Sequence, residues 1–328
     1  MSSTSSDGQP PAVADTVRDQ VQNAPVCFRH PGRETYLRCN RCERSICTDC
    51  MIPAAVGHQC PECVRGGAKE VRRPRTAAGG RVHSRQGTIT IALIALNVLM
   101  FGLQQLIGPA FTVRLELLGI AGSSAATPSA VNIGVANGEW YRLLTAMFVH
   151  ENIAHIGLNM LSLWWIGVPV EARLGRLRYF LTYLVCGLGA SAVSFAFMGR
   201  YDASLGASGA IFGLLGVLAV MAYREKLDMR PIVLVIVLNL AFSFGVPGID
   251  WHDHVGGLAC GLLMGVAFSY APQVRRRTAW YRNPQNLIPL GGGAAILALT
   301  VFLVVVHSHT LQNSALAGSA LAAFGLVH

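Results

Sequence analysis

Charge is what this sequence has least of. Asp, Glu, Lys and Arg make up 13% of its 328 residues, about half the ~25% of ordinary soluble domains. The scarcity is local. Residues 1–87 carry 13 Lys/Arg and 8 Asp/Glu, whereas residues 88–328, almost three times as long, carry 13 and 9. So little charge cannot cover a body in water, which excludes a soluble globule for the second part and makes it a membrane domain. Residues 1–25 also lack an apolar core and are rich in Ser, Asp, Gln and Ala. That excludes a secretory leader and reads as a disordered tail.

Acidic residues are the rarer charge, 17 against 26 basic, for a net +9. The surplus does not point to nucleic acid. Arg65, Lys69, Arg72, Arg73, Arg75, Arg81 and Arg85 crowd the stretch before the first apolar span, as the positive-inside rule expects of a cytoplasmic anchor.

Seven weakly charged segments follow, about 88–108, 147–168, 179–198, 207–223, 231–249, 254–271 and 287–306. Each approaches the ~20 residues that cross a bilayer. Alternate flanks hold seventeen Lys/Arg against three, so the N-terminus is expected inside and, after seven crossings, the C-terminus outside. The first outside loop, about 109–146, is long and holds Trp140-Tyr141-Arg142.

Polar residues inside such spans are costly and mark function by default. They fall at His150, His155 and Asn159 in the second span, Ser208 and His254 at the heads of the fourth and sixth, and Glu171 at the foot of the second. Spans two, four and six all run inward. From Ser208 to Arg224 is 16 residues, or roughly 24 Å of helix, and from His155 to Arg173 is 18, or roughly 27 Å. Serine, histidines and asparagine therefore share one depth near the outer face.

Glycines flank the serine in Gly206-Ala207-Ser208-Gly209 and suit a sharp turn into a helix. The helix's free N–H groups could steady an oxyanion. Small-residue runs also pack membrane helices, so this motif alone decides nothing. His254 precedes a Gly256/Gly261/Gly265 stripe that allows a neighbouring helix close enough for the imidazole to reach Ser208 as a base. His155 and Asn159, four apart, share a helical face and can donate to the same oxygen. His150 and His155, five apart, sit ~140° from each other around a helix, which excludes a zinc-protease motif.

Together these residues resemble the rhomboid family of intramembrane serine proteases over roughly 88–271. The resemblance rests on Trp140-Tyr141-Arg142, on His150-x4-His155-x3-Asn159, on Glu171-x3-Gly175, on G-x-S-G at 206–209 and on His254-Val-Gly-Gly257. It implies Ser208 as nucleophile and His254 as base without a third carboxylate, and His155, Asn159 and the Ser208 N–H as oxyanion hole. It implies supporting roles for His150 and Gly206, Arg142 holding the loop and Glu171 fastening the helix foot. Asp253 departs from the small residue many relatives have there. About 100° from His254 on the helix, it is expected to face outer water, with Asp250 better placed to bias the histidine and His252 a surface loop residue.

Nine cysteines remain to be placed. Seven lie within 27–63, in a chain with no secretory leader, which points to metal rather than disulfides. Cys186 and Cys260, in apolar spans, read as small buried hydrophobes. Cys27-x2-His30, Cys39-x2-Cys42, Cys47-x2-Cys50 and Cys60-x2-Cys63 are four ligand pairs, enough for two tetrahedral structural zinc ions. The run resembles a B-box-type finger, which implies that pairs one and three share one ion and pairs two and four the other. Such a finger suits a cytosolic protein partner.

The expected architecture is an all-α polytopic membrane protein. A tail (1–25), a double-zinc finger (26–65) and a basic linker (66–87) precede a rhomboid-like six-helix core (88–271), and a seventh transmembrane helix with an outside tail (272–328) follows. The expected function is cleavage of peptide bonds in or beside transmembrane helices of membrane-protein substrates, in a plasma (inner) membrane, with no cofactor in catalysis and no nucleic-acid partner. A catalytically silent rhomboid-like scaffold, its finger recruiting a cytosolic partner, is the alternative, and a small-solute transporter using the polar cluster as its site is a third reading.

Overall fold

The computed structural model describes residues 24–70, 76, 78–80, 86–120, 133–199, 201–272 and 280–323. The chain divides into two compact units, residues 1–73 and 74–328. Residues 1–23 of the expected tail lie outside the described residues.

In the first unit, β1 (Val26–Cys27) pairs antiparallel with β2 (His30–Glu34), and β3 (Ile52–Pro53) with β4 (His58–Gln59). Helix α1 (Pro61–Glu70) opens on a proline, whose missing N–H costs nothing in a first turn. It runs past residue 65 into the stretch read from sequence as linker. The core is Ile46 and five cysteines, Cys27, Cys39, Cys47, Cys50 and Cys60. So few apolar groups cannot hold a fold without cross-links.

The second unit is a helix bundle. In chain order it comprises α2 (Thr88–Ile107), α3 (Pro109–Leu115), β5 (Leu117–Leu118), α4 (Arg142–Thr145), α5 (Ile153–Leu174), α6 (Arg176–Phe197), β6 (Ala203–Ser204), α7 (Ser208–Arg224), α8 (Arg230–Gly245), α9 (Trp251–Ser269) and α10 (Pro284–Ala323). By length and composition α2, α5, α6 and residues Pro284–Ser314 of α10 can cross a membrane. At 17 and 16 residues, α7 and α8 reach only roughly 24–26 Å, short of a ~30 Å hydrocarbon core. A helix that short can begin below the membrane surface.

Two boundaries differ from the sequence reading. Helix α5 starts at Ile153 rather than 147, because the Asn152 side chain accepts the His155 N–H and caps it. His150 therefore lies before the helix rather than within a span. Helix α10 continues to Ala323, where a tail after residue 306 was expected. Its later turns are tied down by His307 Nε2 to the Met198 carbonyl (2.9 Å) and by Gln312 Nε2 donating to the Ala136 carbonyl (2.6 Å).

The bundle is drawn together by glycine. A Cβ on Gly257 would stand 2.0 Å from the Gly209 carbonyl oxygen, one on Gly261 1.9 Å from that of Gly213, and one on Gly265 3.1 Å from Val217 Cα. No side chain fits there, so α7 and α9 lie backbone on backbone. The partners 209/257, 213/261 and 217/265 advance together, each 48 residues apart, so the two helices are parallel. Gly256, read from sequence as part of this stripe, faces Val193 of α6 instead, and Gly257 takes its place. Helix α6 packs against α7 antiparallel, Ala190 meeting Gly209 and Cys186 meeting Gly213.

Glu171, buried at the foot of α5, accepts from the N–H groups of Ile89 and Thr90 and from the Thr90 hydroxyl, at 2.9–3.1 Å. It satisfies the free donors of the first turn of α2 and complements that end's partial positive charge.

Candidate active site

The site is built from the loop inward. Arg142 is 1% exposed. Its Nη1 donates to the carbonyls of Val113 (2.6 Å) and Glu116 (2.9 Å), and its Nε to Glu139 (2.7 Å). Burial pushes the Glu139 carboxyl up, but the Gly134 N–H and Arg142 outweigh it and hold it below the usual range. Arg142 thus ties down the residues that lead into β5. Strand β5 pairs antiparallel with β6, Leu117 opposite Ser204, and the Gly206 N–H donates to the Ala146 carbonyl at 2.9 Å. The segment that delivers Ser208 is therefore stitched to the Arg142 loop.

Ser208 opens α7. Gly206 before it has φ 131°, in the region that favours glycine. A Cβ there would stand 2.9 Å from His155 Nε2 and 3.6 Å from Ser208 Oγ, so the histidine and the serine flank the same bare backbone. His155 sits in the first turn of α5, and the Glu151 N–H points at its Nδ1 (3.4 Å). His150 is buried edge-on to His155, ring centroids 5.2 Å apart, with both ring nitrogens unpartnered. Its backbone is held at both groups by the Gln104 side chain of α2. Asn159 is buried one turn along and spends one donor on the His155 carbonyl (3.0 Å).

His254 lies in the first turn of α9. Its ring stacks on Phe212, one turn after Ser208, at 4.4 Å between centroids and 16° between planes. It lies within electrostatic reach of Asp250 and of His155. His254 Nδ1 contacts Ser243 Oγ of α8 at 2.6 Å. Among the described residues no hydrogen bond joins Ser208 to His254.

One of the two acidic neighbours is not where the helical angle put it. Asp253 does not face open water. It is 9% exposed, and its carboxyl faces the Ser208 hydroxyl and lies on Gly209. Side-chain angle alone misplaced it, because α9 approaches α7 so closely that a direction flanking His254 still points into the bundle. Asp250 caps α9, accepting from the His252 and Asp253 N–H groups and from Ser194 Oγ, and its charge also reaches the His254 ring. His252 belongs to α9, stacked between Phe197 and Trp251, rather than to a loop.

Ser208, Gly206, His155, His150 and Asn159 thus gather at one end of the bundle with His254 beside them, while Arg142 and Glu171 act from a distance. Phe212 and Ser243 were not read from sequence. Phe212 lies four residues after Ser208, and Ser243 is a hydroxyl in an apolar span; both signals were there to be read.

In the first unit Cys27, His30, Cys47 and Cys50 form one cluster, and Cys39, Cys42, Cys60 and Cys63 another, the ligand atoms of each within 4.8 Å of one another. Four sulfurs 2.3 Å from a tetrahedral ion would lie roughly 3.8 Å apart, so both clusters can hold a metal ion. Further support comes from N–H groups aimed at sulfur, Cys60 to Cys39 (3.2 Å) and Cys63 to Cys60 (3.3 Å). Burial pushes the Cys27 and Cys39 thiols up, but N–H donors, chiefly those of Cys47 and Cys60 respectively, bring both down to about 6. Thiols that ionise readily are ready ligands.

A small module with two Cys/His clusters that could hold metal ions is thus joined to an apolar helix bundle with a serine and two histidines at one end. The Rhomboid domain profile matches residues 137–271. The chain is 40% identical to the rhomboid protease GluP of Bacillus subtilis over 191 residues, 55% of this chain and 34% of that protein. It is 31% identical to rhomboid-type serine protease 2 of Emericella nidulans over 167 residues, 49% and 33% of the two chains. A putative rhomboid protease of Bacillus subtilis, YdcA, is 34% identical over 143 residues, 42% of this chain and 72% of its own length. The protein is a multi-pass membrane protein and belongs to the rhomboid family. Its matches span about a third of the length of GluP and of the Emericella protein.

Proposed function

We propose that this protein is an intramembrane serine endopeptidase that cleaves peptide bonds in or beside the transmembrane helix of a membrane-protein substrate. Ser208 Oγ attacks the carbonyl carbon and its proton passes to His254. The tetrahedral oxyanion is met by the Ser208 N–H, His155 and Asn159. The imidazolium returns the proton to the leaving amine, and water, deprotonated by His254, resolves the acyl-enzyme. The observation that carries this reading is the glycine seam, which sets the first turns of α7 and α9 side by side and brings the His254 ring onto Phe212, a turn from the nucleophile. The short α7 supports a nucleophile below the membrane surface yet within reach of water. Lys/Arg placement supports N-in, C-out orientation in a plasma membrane, and the released fragment would leave on the outer side. Helix-breaking residues in a substrate should favour cleavage, since a continuous helix hides its carbonyls.

The two clusters are read as structural zinc sites that supply cross-links in place of a core, in a finger suited to a cytosolic protein partner. A non-cutting scaffold draws support from one observation, that Ser208 and His254 are not hydrogen-bonded. One assay separates the readings: purified protein is offered several single-span substrates, with Ser208→Ala alongside. Cleavage lost in Ser208→Ala is expected. Cleavage that survives the substitution, or none by the unaltered protein, sinks the protease reading.

A further inference from the structure

Helix α8 is nearly unburied. Of its 16 residues only Ser243 is buried, 2% exposed, while Val233, Leu234, Val237, Leu238 and Phe242 face outward. Ile232, Val235 and Ile236 rest partly buried against the core, and Ser243 is the helix's one buried side chain, which gives that hydroxyl unusual weight. Ser243 Oγ lies 2.6 Å from two partners, the Asn239 carbonyl oxygen one turn earlier in its own helix and His254 Nδ1.

A hydroxyl has one proton and can also accept. The Asn239 carbonyl can only accept, so the Ser243 proton goes to it, as serine commonly does within a helix. The contact with His254 is then a hydrogen bond only if the histidine donates. Nδ1 must carry the ring proton. A neutral imidazole with its proton on Nδ1 has its lone pair on Nε2, the atom free to take a proton from a nucleophile.

We propose that Ser243 is a positioning residue that holds His254 in the Nδ1–H tautomer, leaving Nε2 as the base. It fills the orienting role that a carboxylate fills in a serine protease triad, without adding a charge beside the site. Asp250, the nearest sequence candidate for that role, is occupied with Ser194 and the start of α9. The inference builds on the dyad reading, but the tautomer is observable whether or not the protein cuts anything.

The test is nitrogen NMR of the full-length protein labelled at histidine, in detergent, with the His254 signals assigned by their loss in His254→Asn. Nδ1 protonated and Nε2 unprotonated is expected in the unaltered protein and in Ser243→Thr, whose hydroxyl can make the same two bonds. Ser243→Ala should show the Nε2–H form appearing. Its kcat should fall on the order of tenfold, the worth of about one hydrogen bond, with KM unchanged and the rate restored by Ser243→Thr. A protonated Nε2 in the unaltered protein, or an unchanged tautomer in Ser243→Ala, overturns the proposal. Should Ser208→Ala prove not to affect cleavage, the protease reading fails and the NMR result still decides this one.

Discussion

The Asp253 carboxyl covers Gly209: a Cβ on that glycine would stand 2.4 Å from Asp253 Oδ2. The same carboxyl faces the Ser208 hydroxyl. It is therefore placed to take the serine's only proton in place of His254, and it accepts from the Gly209 N–H beside the nucleophile. In Asp253→Ala both are released, at the expense of a small void. Ser208 is expected to react about two- to tenfold faster with a fluorophosphonate probe, the range of one net hydrogen bond. Labelling that is unchanged or slower would show that the carboxyl is no competitor.

The glycine seam makes a steric prediction. Gly261→Val cannot be absorbed, because its Cβ alone would stand 1.9 Å from the Gly213 oxygen. Overpacking typically costs about 1–3 kcal/mol, and backbone on backbone leaves nothing to rotate away. A large drop in the thermal midpoint in detergent, with loss of Ser208 labelling, is expected. Gly102→Val on α2, where nothing lies within 4 Å of the added Cβ, is the control and should change neither.

The Arg142 loop carries a pH dependence of definite sign. Glu139 is held below its ordinary range on folding, net of burial, by the Gly134 N–H and Arg142. Its contribution is present above the unfolded carboxylate value, ~4.3, and is lost as pH falls through the lower folded value. Limited proteolysis of residues 109–146 should accelerate only in that acid window, and Glu139→Gln should remove the step. Arg142→Ala should open the loop at every pH, since the carbonyls of Val113 and Glu116 lose their donor.

Metal removal should act on the first unit alone among folded parts. With a core of one isoleucine and five cysteines, residues 24–70 are expected to unfold under a strong chelator, seen as rapid amide exchange there. Exchange in α7 and α9 should hold. Metal analysis should find two zinc ions per chain, and Cys47→Ser should lose one. Unchanged exchange in 24–70 after complete metal removal would refute a structural role.

Much of the fold could be read from the sequence because bilayers impose simple rules. Apolar runs marked α2 and α5 to α10, of which, among the described residues, α2, α5, α6 and part of α10 are long and apolar enough to cross a membrane, and the cost of polar groups in lipid singled out Ser208, His254, His155 and Asn159. What escaped was set by close packing. An Asn152 cap, which no hydropathy window registers, moved the start of α5 past His150. Gly257 rather than Gly256 turned toward α7, a choice made by the rotation of α9 about its axis. Asp253 was misjudged for the same reason: its helical angle was right, but the distance to the neighbouring helix was unknown. Ser243 escaped because its meaning depends on a partner in another helix.

The constant 48-residue offset between α7 and α9 divides the chain by its tolerance of length change. Ser208 stands one residue before its first seam glycine, and His254 three before Gly257. Inserting or deleting a residue between a site residue and its seam glycine would swing that side chain about 100° around its helix. The connections between α7 and α9 carry no such constraint from the seam, because they only return the chain to a register the glycines already specify. Relatives of this protein should therefore accept insertions at 225–229 and 246–249 freely, and at 208–217 or 254–265 not at all.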